Sequence, residues 1–168
     1  MSDASTDVVS IRPAAVDDVG TILRFITDLA IYEKAEHEVI ADHEMLTRTL
    51  FGEQRYSEAL IAEYGAEPVG FALYFYSYST WLGKPGLYLE DLYVMPEHRK
   101  RGAGKALFKA LARIAVERDC GRFEWSVLDW NQPAIDFYEL MGAEPQGEWI
   151  KYRLSGASLD AVAMADGD

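Results

Sequence analysis

The residues best suited to chemistry lie in one short stretch, where an apolar strand-like run is followed by basic residues and glycines. The run covers residues 87–94 and ends before Pro96, and a helical pattern begins at about Gly104. Glycine lets backbone N–H groups approach a ligand closely, and the positive end of the new helix points to the same place. The stretch therefore predicts a phosphate site, although glycines that merely cap a helix would produce a similar pattern. Four cations fall within seven residues of a chain whose formal net charge is -12: Arg99, Lys100, Arg101 and Lys105.

Length and composition predict one soluble globular domain. The chain has 168 residues, of which 49% are hydrophobic and 26% are charged. No apolar run approaches the roughly 20 residues that span a bilayer. The single cysteine, Cys120, excludes an internal disulfide and is typical of a reducing cytoplasm. The acidic balance argues against nucleic acid as a partner and is compatible with a cationic substrate.

Hydrophobic periodicity predicts an α/β domain in the order β-α-α-β-β-β-α-β-α-β, built around a mixed sheet. The predicted strands cover residues 8–12, 59–63, 69–76, 87–94, 123–128 and 149–154. The predicted helices cover residues 17–33, 42–51, an amphipathic segment after the glycine turn, and 133–141. We expect residues 8–155 to form the domain, with a flexible N-terminus at 1–7 and a disordered acidic tail at 156–168.

The spacing of Arg99, Gly102 and Gly104 matches the Arg/Gln-x-x-Gly-x-Gly/Ala signature of the GNAT superfamily of N-acetyltransferases. The flanking segments YLEDLYVMP (88–96) and DWNQPAIDFY (129–138) resemble the diamine (spermidine/spermine-type) acetyltransferases. YSTWLG (78–83) and VLDWNQ (127–132) are similar to the thialysine-preferring branch of that group. The resemblance runs over residues 11–154. It implies a single-domain GNAT fold, with a mixed, mostly antiparallel sheet, splayed central strands and helices on both faces.

The resemblance also implies how acetyl-CoA binds. In this family the pantetheine arm lies where two strands splay apart and bonds to exposed backbone as an added strand would. Those backbone contacts map onto Leu92, Tyr93 and Val94. Further coenzyme contacts map onto the start of a later helix, at Asn131, Pro133 and Ala134, where capping is the other role of Asn131. The pyrophosphate loop maps onto Arg99, Lys100, Arg101, Gly102, Ala103, Gly104 and Lys105.

Acetyl transfer to an amine needs a neutral nucleophile and a proton for the departing thiolate. An alkylammonium group has a pKa near ~10.4, so a carboxylate must remove its proton. The resemblance assigns this role to Glu90, which would otherwise be an exposed strand residue. Asp91 points to the opposite face of a regular strand and becomes the candidate base only if a bulge shifts the register. Tyr138 matches the family tyrosine that donates a proton to the coenzyme sulfur, although an aromatic residue on a short helix is more often core.

The resemblance places the amine contacts at Tyr32 and Glu33, at the end of the first helix, together with Glu90. A carboxylate there would hold a distal ammonium group. Lys34 and His37 reduce the negative charge just beyond Glu33, which disfavours long polycations such as spermine. Thialysine, lysine-like amines or short diamines are the expected substrates. The three histidines have no metal-ligand spacing, so we expect no metal.

Three functions are compatible with these residues. The leading one is acetyl-CoA-dependent transfer to the primary amine of a small molecule by direct attack. The second is acetylation of a protein or peptide amine, and the third is a non-catalytic acyl-CoA-binding module. The presence of both Glu90 and Tyr138 argues against a loss of chemistry. The resemblance further implies a homodimer.

Overall fold

A computed structural model describes residues 8–165, and the chain divides after Ser126 into two compact units. The predicted flexible N-terminus and the last three residues of the predicted tail lie outside the described residues. The strands are β1 (Val9–Pro13), β2 (Glu58–Tyr64), β3 (Glu67–Ser79), β4 (Lys84–Val94) and β5 (Arg122–Trp125). The α-helices are α1 (Val19–Tyr32), α2 (His43–Phe51), α3 (Ala103–Glu117), α4 (Gln132–Leu140) and α5 (Ala157–Met164). Five of the six predicted strands and all four predicted helices are confirmed, with small shifts at their ends.

The first unit is built on a five-stranded sheet in the order β1-β2-β3-β4-β5. Neighbouring strands from β1 to β4 are antiparallel, and β5 pairs with β4 in parallel. The parallel pairing begins at Gly86 with Arg122 and ends at Leu89 with Trp125. Because β4 continues to Val94, its residues 90–94 have no β5 partner among the described residues. The predicted splay is confirmed at this place in the sheet.

Each face of the sheet carries its own hydrophobic core, because successive side chains of a strand point to opposite faces. One core, the α3-side cluster, joins Leu60, Ala72 and other sheet residues to Leu107 and Leu111 of α3. The second core, the α1-side cluster, joins residues of the opposite face to α1 and α2. The predicted arrangement of helices on both faces is therefore confirmed. The buried members of the α1-side cluster are Val19, Ile22, Phe25, Leu46, Leu50, Ala59, Ile61, Phe71, Leu73 and Tyr93.

The start of α1 is tied to the sheet by charged hydrogen bonds. Arg12 of β1 donates from Nη1 to Asp18 Oδ2 at 2.6 Å and from Nε to Glu63 Oε1 at 2.9 Å. The same Asp18 carboxylate accepts the Ala15 N–H at 2.7 Å, and its hydrogen bond from Arg12 lowers the pKa of Asp18. Charge-assisted bonds of this kind are short and directional. They fix where α1 begins, and so where its last residues, Tyr32 and Glu33, arrive.

The predicted sixth strand, residues 149–154, is wrong. A strand needs a partner for its backbone, and the described part of the second unit, where this segment lies, contains no strand. Trp149, Ile150 and Tyr152 are instead 72–89% exposed. Within the segment 156–168, for which we expected disorder, the structure describes α5, which is rich in alanine and other strong helix formers.

The end of β4 lies close to β3 because Gly70 has no side chain. Gly70 pairs with Val94, and a Cβ at position 70 would lie 2.5 Å from the Tyr93 carbonyl oxygen. Real Cβ atoms do not approach a backbone oxygen so closely, so any larger residue must push the two strands apart. Gly70 thus sets the position of the strand end onto which the family resemblance maps the coenzyme arm.

We predict that Gly70→Ala lowers the free energy of unfolding by about 2 kcal/mol, because the added methyl group overpacks the β3–β4 ladder. Gly20→Ala is the matched control, since a Cβ at position 20 of α1 has no atom within 4 Å. That control should gain up to about 1 kcal/mol from helix propensity. Urea denaturation of both variants measures the difference. Equal stabilities would contradict the tight spacing of β3 and β4.

Candidate active site

A β-bulge at Glu90 decides which side chains face α1. Leu73 of β3 pairs with Asp91, whereas the next residue, Tyr74, pairs with Leu89, so Glu90 is an extra residue in β4. Directly opposed residues of antiparallel strands share a face of the sheet. Asp91 therefore shares the face of Leu73, which belongs to the α1-side cluster. The shifted register is the condition under which the sequence analysis made Asp91 a candidate base.

The charges of three carboxylates influence one another around Asp91. Burial and, to a smaller extent, the negative charges of Glu90 and Glu33 together raise the pKa of Asp91 from 3.8 to about 6. Burial also raises the pKa of Glu33, which is the C-terminal cap of α1. Glu90 is exposed, in contrast to the partly buried Asp91. A partly buried group of like charges is destabilising by itself and is relieved by a bound cation. We refer to Glu33, Glu90 and Asp91 together as the carboxylate cluster.

Arg99 joins the end of α1 to the end of β4. Its guanidinium lies over the Tyr32 ring at 5.1 Å and over the Tyr93 ring at 5.7 Å. Its Nε donates to the Val94 carbonyl oxygen at 2.9 Å. The sequence analysis assigned Arg99 to the coenzyme and Tyr32 to the amine. The structure brings these two side chains into contact, so the loop after β4 and the end of α1 are held together.

The loop between β4 and α3 has an unusual backbone. Lys100 has φ 63° and Gly102 has φ 100°, and Gly102 is the N-terminal cap of α3. A lysine in the left-handed region costs about 1 kcal/mol, which indicates a conformation imposed by its surroundings. A Cβ at Gly104 would meet only Val94 and Leu92, at 3.8 and 3.9 Å. The fold therefore does not require glycine at position 104, whereas a ligand close to the backbone would. Lys100, in this loop, and Lys105, in the first turn of α3, are both exposed.

Tyr64 is a residue at this loop that the sequence analysis missed. It is the last residue of β2, and its hydroxyl donates to the Arg101 carbonyl oxygen at 2.7 Å. The Arg101 guanidinium lies over the Tyr64 ring at 4.4 Å. In the sequence Tyr64 is only an aromatic residue at a strand end, and no motif connects it to a loop 37 residues later.

The other predicted site residues lie on α4 in the second unit. The Ala134 N–H donates to Asn131 Oδ1 at 3.4 Å, which confirms the capping role of Asn131. Pro133 lies in the first turn of this helix, where its missing N–H is tolerated. The half-buried Tyr138 packs its ring edge-on against Phe137 with centroids 5.4 Å apart. The coenzyme roles of these residues stay predictions.

Comparison with known protein families identifies the family of this chain. A family described as Acetyltransferase (GNAT) matches residues 26–143, which is more than half of the chain. The chain belongs to the GNAT family of acetyltransferases. The matched range contains the carboxylate cluster, the loop after β4, and α4. Members of the GNAT family use acetyl-CoA as their cosubstrate.

Curated relatives are similar to this GNAT enzyme over most of their length. Thialysine N-epsilon-acetyltransferase of Mus musculus is 38% identical over 164 residues, covering 91% of this chain and 96% of the relative. L-ornithine N5-acetyltransferase of Arabidopsis thaliana is 30% identical, covering 90% of this chain and 86% of the relative. Among solved structures, an integron cassette protein from the mobile metagenome of V. cholerae has a TM-score of 0.79 at 25% identity, covering 94% of this chain and 98% of that chain.

Other surfaces of the described residues do not add to this site. A groove of about 800 Å³ lies between the β1–α1 connection and α2, lined by Val16, His43 and Arg48 among others, and contains none of the three carboxylates. No three metal-ligating side chains come together within residues 8–165. None of the described helices is both long and apolar enough to cross a membrane.

We predict that Asp91→Asn stabilises the folded protein at neutral pH. Because the folded pKa of Asp91 is raised from 3.8 to about 6, Asp91 costs no stability below about pH 4, and an increasing cost develops as the pH rises through 6 and its buried carboxylate ionises. The amide stays neutral, so the variant should gain up to about 3 kcal/mol at pH 7.5 and no advantage at pH 4.

Urea denaturation of Asp91→Asn across pH 4 to 7.5 checks this expectation. Glu90→Gln is the control, because its exposed carboxylate contributes mainly by repelling Asp91 and should give a smaller gain. A variant no more stable than the wild type at pH 7.5 would contradict the burial of an ionised Asp91.

Proposed function

We propose that this GNAT acetyltransferase transfers the acetyl group of acetyl-CoA to the primary amine of a small cationic molecule by direct attack. The observation that carries the proposal is the carboxylate cluster, which concentrates negative charge where β4 separates from β5. Such a group attracts an ammonium ion and provides an acceptor for its proton. The relatives named for thialysine and L-ornithine support a small substrate with a side-chain amine.

The splayed strand and the loop fit the cosubstrate. Beyond Leu89 the backbone of β4 is free of β5, which supports contacts of the pantetheine arm with Leu92, Tyr93 and Val94. The absence of a side chain at Gly104, the amides at the start of α3 and the exposed Lys100 and Lys105 suit a pyrophosphate. We assign the other loop residues, Arg99, Arg101, Gly102 and Ala103, to the same coenzyme-binding loop.

For the proton acceptor the proposal moves from Glu90 to Asp91. The bulge puts Asp91 on the α1 face, and its raised pKa of about 6 lies near neutrality, where a general base is most effective. Glu90, which is exposed and adjacent in the chain, contributes to that raised pKa through its charge and provides a second contact for the ammonium group. Asp91 takes the amine proton, and the neutral nitrogen then forms the amide bond.

The leaving group needs a proton when its carbon–sulfur bond breaks. We propose that the Tyr138 hydroxyl gives this proton to the thiolate, as the family resemblance implies. Asn131, Pro133 and Ala134 at the start of α4 are the proposed neighbours of the coenzyme. A phenylalanine could not replace Tyr138 in this role, since the ring alone has no proton to donate.

The far end of the substrate is assigned to the end of α1. Glu33 offers its carboxylate to a second charged group, and Tyr32, positioned by Arg99, provides an aromatic wall. Lys34 and His37 limit the negative charge beyond Glu33 and so favour a short spacing between the two charges. We further propose a cytoplasmic homodimer, supported by the family resemblance and by the single cysteine, Cys120.

Replacing each carboxylate by its amide tests the proton acceptor. We predict that Asp91→Asn lowers kcat/KM on the order of 10²-fold at pH 7 and partly recovers at high pH, where the amine is already neutral. Glu90→Gln, which keeps the proposed base, should lose less activity. Steady-state kinetics of both variants across pH 6 to 10 measure this. A larger loss for Glu90→Gln would assign the base to Glu90 instead.

A substrate panel tests the function itself. We predict a higher kcat/KM for thialysine, lysine-like amines or short diamines than for spermine or a lysine-containing peptide, measured by release of coenzyme A. Glu33→Gln should raise KM for the short substrates more than it lowers kcat, because it removes positioning rather than chemistry. Glu36→Gln makes the same charge change three residues further on and is the control.

Two outcomes of the panel would contradict the proposal. A preference for spermine of at least about tenfold would reject the short-spacing argument from Lys34 and His37. Binding of acetyl-CoA without turnover of any amine would instead support a non-catalytic acyl-CoA-binding module.

A further inference from the structure

The loop that follows β4 is hydrogen-bonded to a tyrosine of another strand, Tyr64. Tyr64 ends β2 and is 7% exposed, so its ring is part of the α3-side cluster. Its hydroxyl reaches out of that core and donates to the Arg101 carbonyl oxygen at 2.7 Å. A buried ring with a single polar contact at its tip defines the position of that contact closely.

Arg101 also holds the Tyr64 ring with its side chain. The guanidinium lies 4.4 Å from the ring centroid, and its Nη1 is 3.2 Å from His98 Nδ1. The His98 ring is itself 5.8 Å from the Tyr64 ring. Both the main chain and the side chain of Arg101 are therefore fixed to Tyr64. A cation–π contact and a hydrogen bond to the same residue leave the peptide between Arg101 and Gly102 little freedom to rotate.

The orientation of the Arg101–Gly102 peptide matters because it also sets the direction of the Gly102 N–H. The peptide is trans, so the Arg101 carbonyl and the Gly102 N–H point in opposite directions. With the carbonyl directed at the Tyr64 hydroxyl, the Gly102 N–H is directed away from that hydroxyl. Gly102 caps α3 at φ 100°, and a Cβ on it would meet no atom within 4 Å. The amide is thus the first of the donors at the open start of α3.

We infer that Tyr64 is a positioning residue for the cosubstrate, since its hydroxyl holds the Arg101 carbonyl and so presents the Gly102 N–H to the pyrophosphate. The inference rests on the proposed use of acetyl-CoA and adds a residue that lies outside the signature motif. Tyr64 acts through the loop and does not touch the reacting atoms. Losing the hydroxyl frees the peptide to turn, and the pyrophosphate then loses a preorganised donor.

Tyr64→Phe tests this inference, because it removes only the hydroxyl and keeps the ring beneath Arg101. We expect its dissociation constant for coenzyme A, measured by calorimetry, to rise about fivefold, as for the loss of one hydrogen bond. The kcat at saturating acetyl-CoA should stay unchanged. The kcat/KM for S-acetylpantetheine, which has no pyrophosphate, should also stay unchanged, whereas a general distortion of the fold would lower it.

Tyr74→Phe is the matched control. Tyr74 lies in the same sheet, is 3% exposed, and donates its hydroxyl to Glu58 Oε2 at 2.8 Å, on a residue that does not belong to the loop. This variant removes a similarly buried hydroxyl and should leave the affinity for coenzyme A as in the wild type. Both variants are first compared with the wild type by urea denaturation, so that only folded protein enters the binding measurement.

Each result has a definite reading. An affinity of Tyr64→Phe for coenzyme A equal to that of the wild type would overturn the inference and leave the proposed function intact. An equal loss with S-acetylpantetheine, or an equal loss in Tyr74→Phe, would also overturn it, because the effect would not be specific to the pyrophosphate. A wild-type protein that does not bind coenzyme A would reject the proposed function, and the inference with it.

Discussion

One extra residue in β4 determines the chemistry of this face of the sheet. Without the bulge at Glu90, side chains would alternate regularly, and Asp91 would follow Leu89 into the α3-side cluster. An ionisable group there would be buried among aliphatic side chains. With the bulge, Asp91 turns toward α1 and Leu92 takes its place on the α3 side. The bulge also follows directly after the last β4–β5 pair, at Leu89. The same few residues therefore expose both a carboxylate and an unpaired strand edge.

The fold then brings α1 and the loop to this point by contacts made elsewhere. The Arg12–Asp18 ion pair fixes the first turn of α1, and Phe25 packs against Tyr93 of β4 with ring centroids 5.6 Å apart. At the other end of α1, Arg99 lies over Tyr32. Because a helix is stiff, these three contacts together define where Glu33 lies relative to β4. The loop is anchored separately by Tyr64, whose hydroxyl donates to the Arg101 carbonyl oxygen.

Sequence patterns were sufficient for the elements and insufficient for the details of the site. Apolar periodicity predicted α1, α3 and the first five strands because each buries a regular stripe or face. The same rule failed at residues 149–154, whose alternating pattern lacks a partner strand in the described second unit. The bulge at Glu90 leaves no mark in composition, since it depends on how β3 and β4 pair. The contact from Tyr64 to Arg101 depends on tertiary packing across 37 residues and was equally invisible.

The end of α1 illustrates how one position serves both stability and attraction of a cation. Lys34 follows the helix cap with φ 61°, a position that usually favours glycine, and its charge is favourable at a helix C-terminus. The same negative end of the helix dipole adds to the Glu33 carboxylate in attracting an ammonium group. Lys34 therefore opposes a second cation just beyond Glu33 while the helix end attracts a first one. Because both effects fall off within about one turn, the distance over which charge is favourable is short.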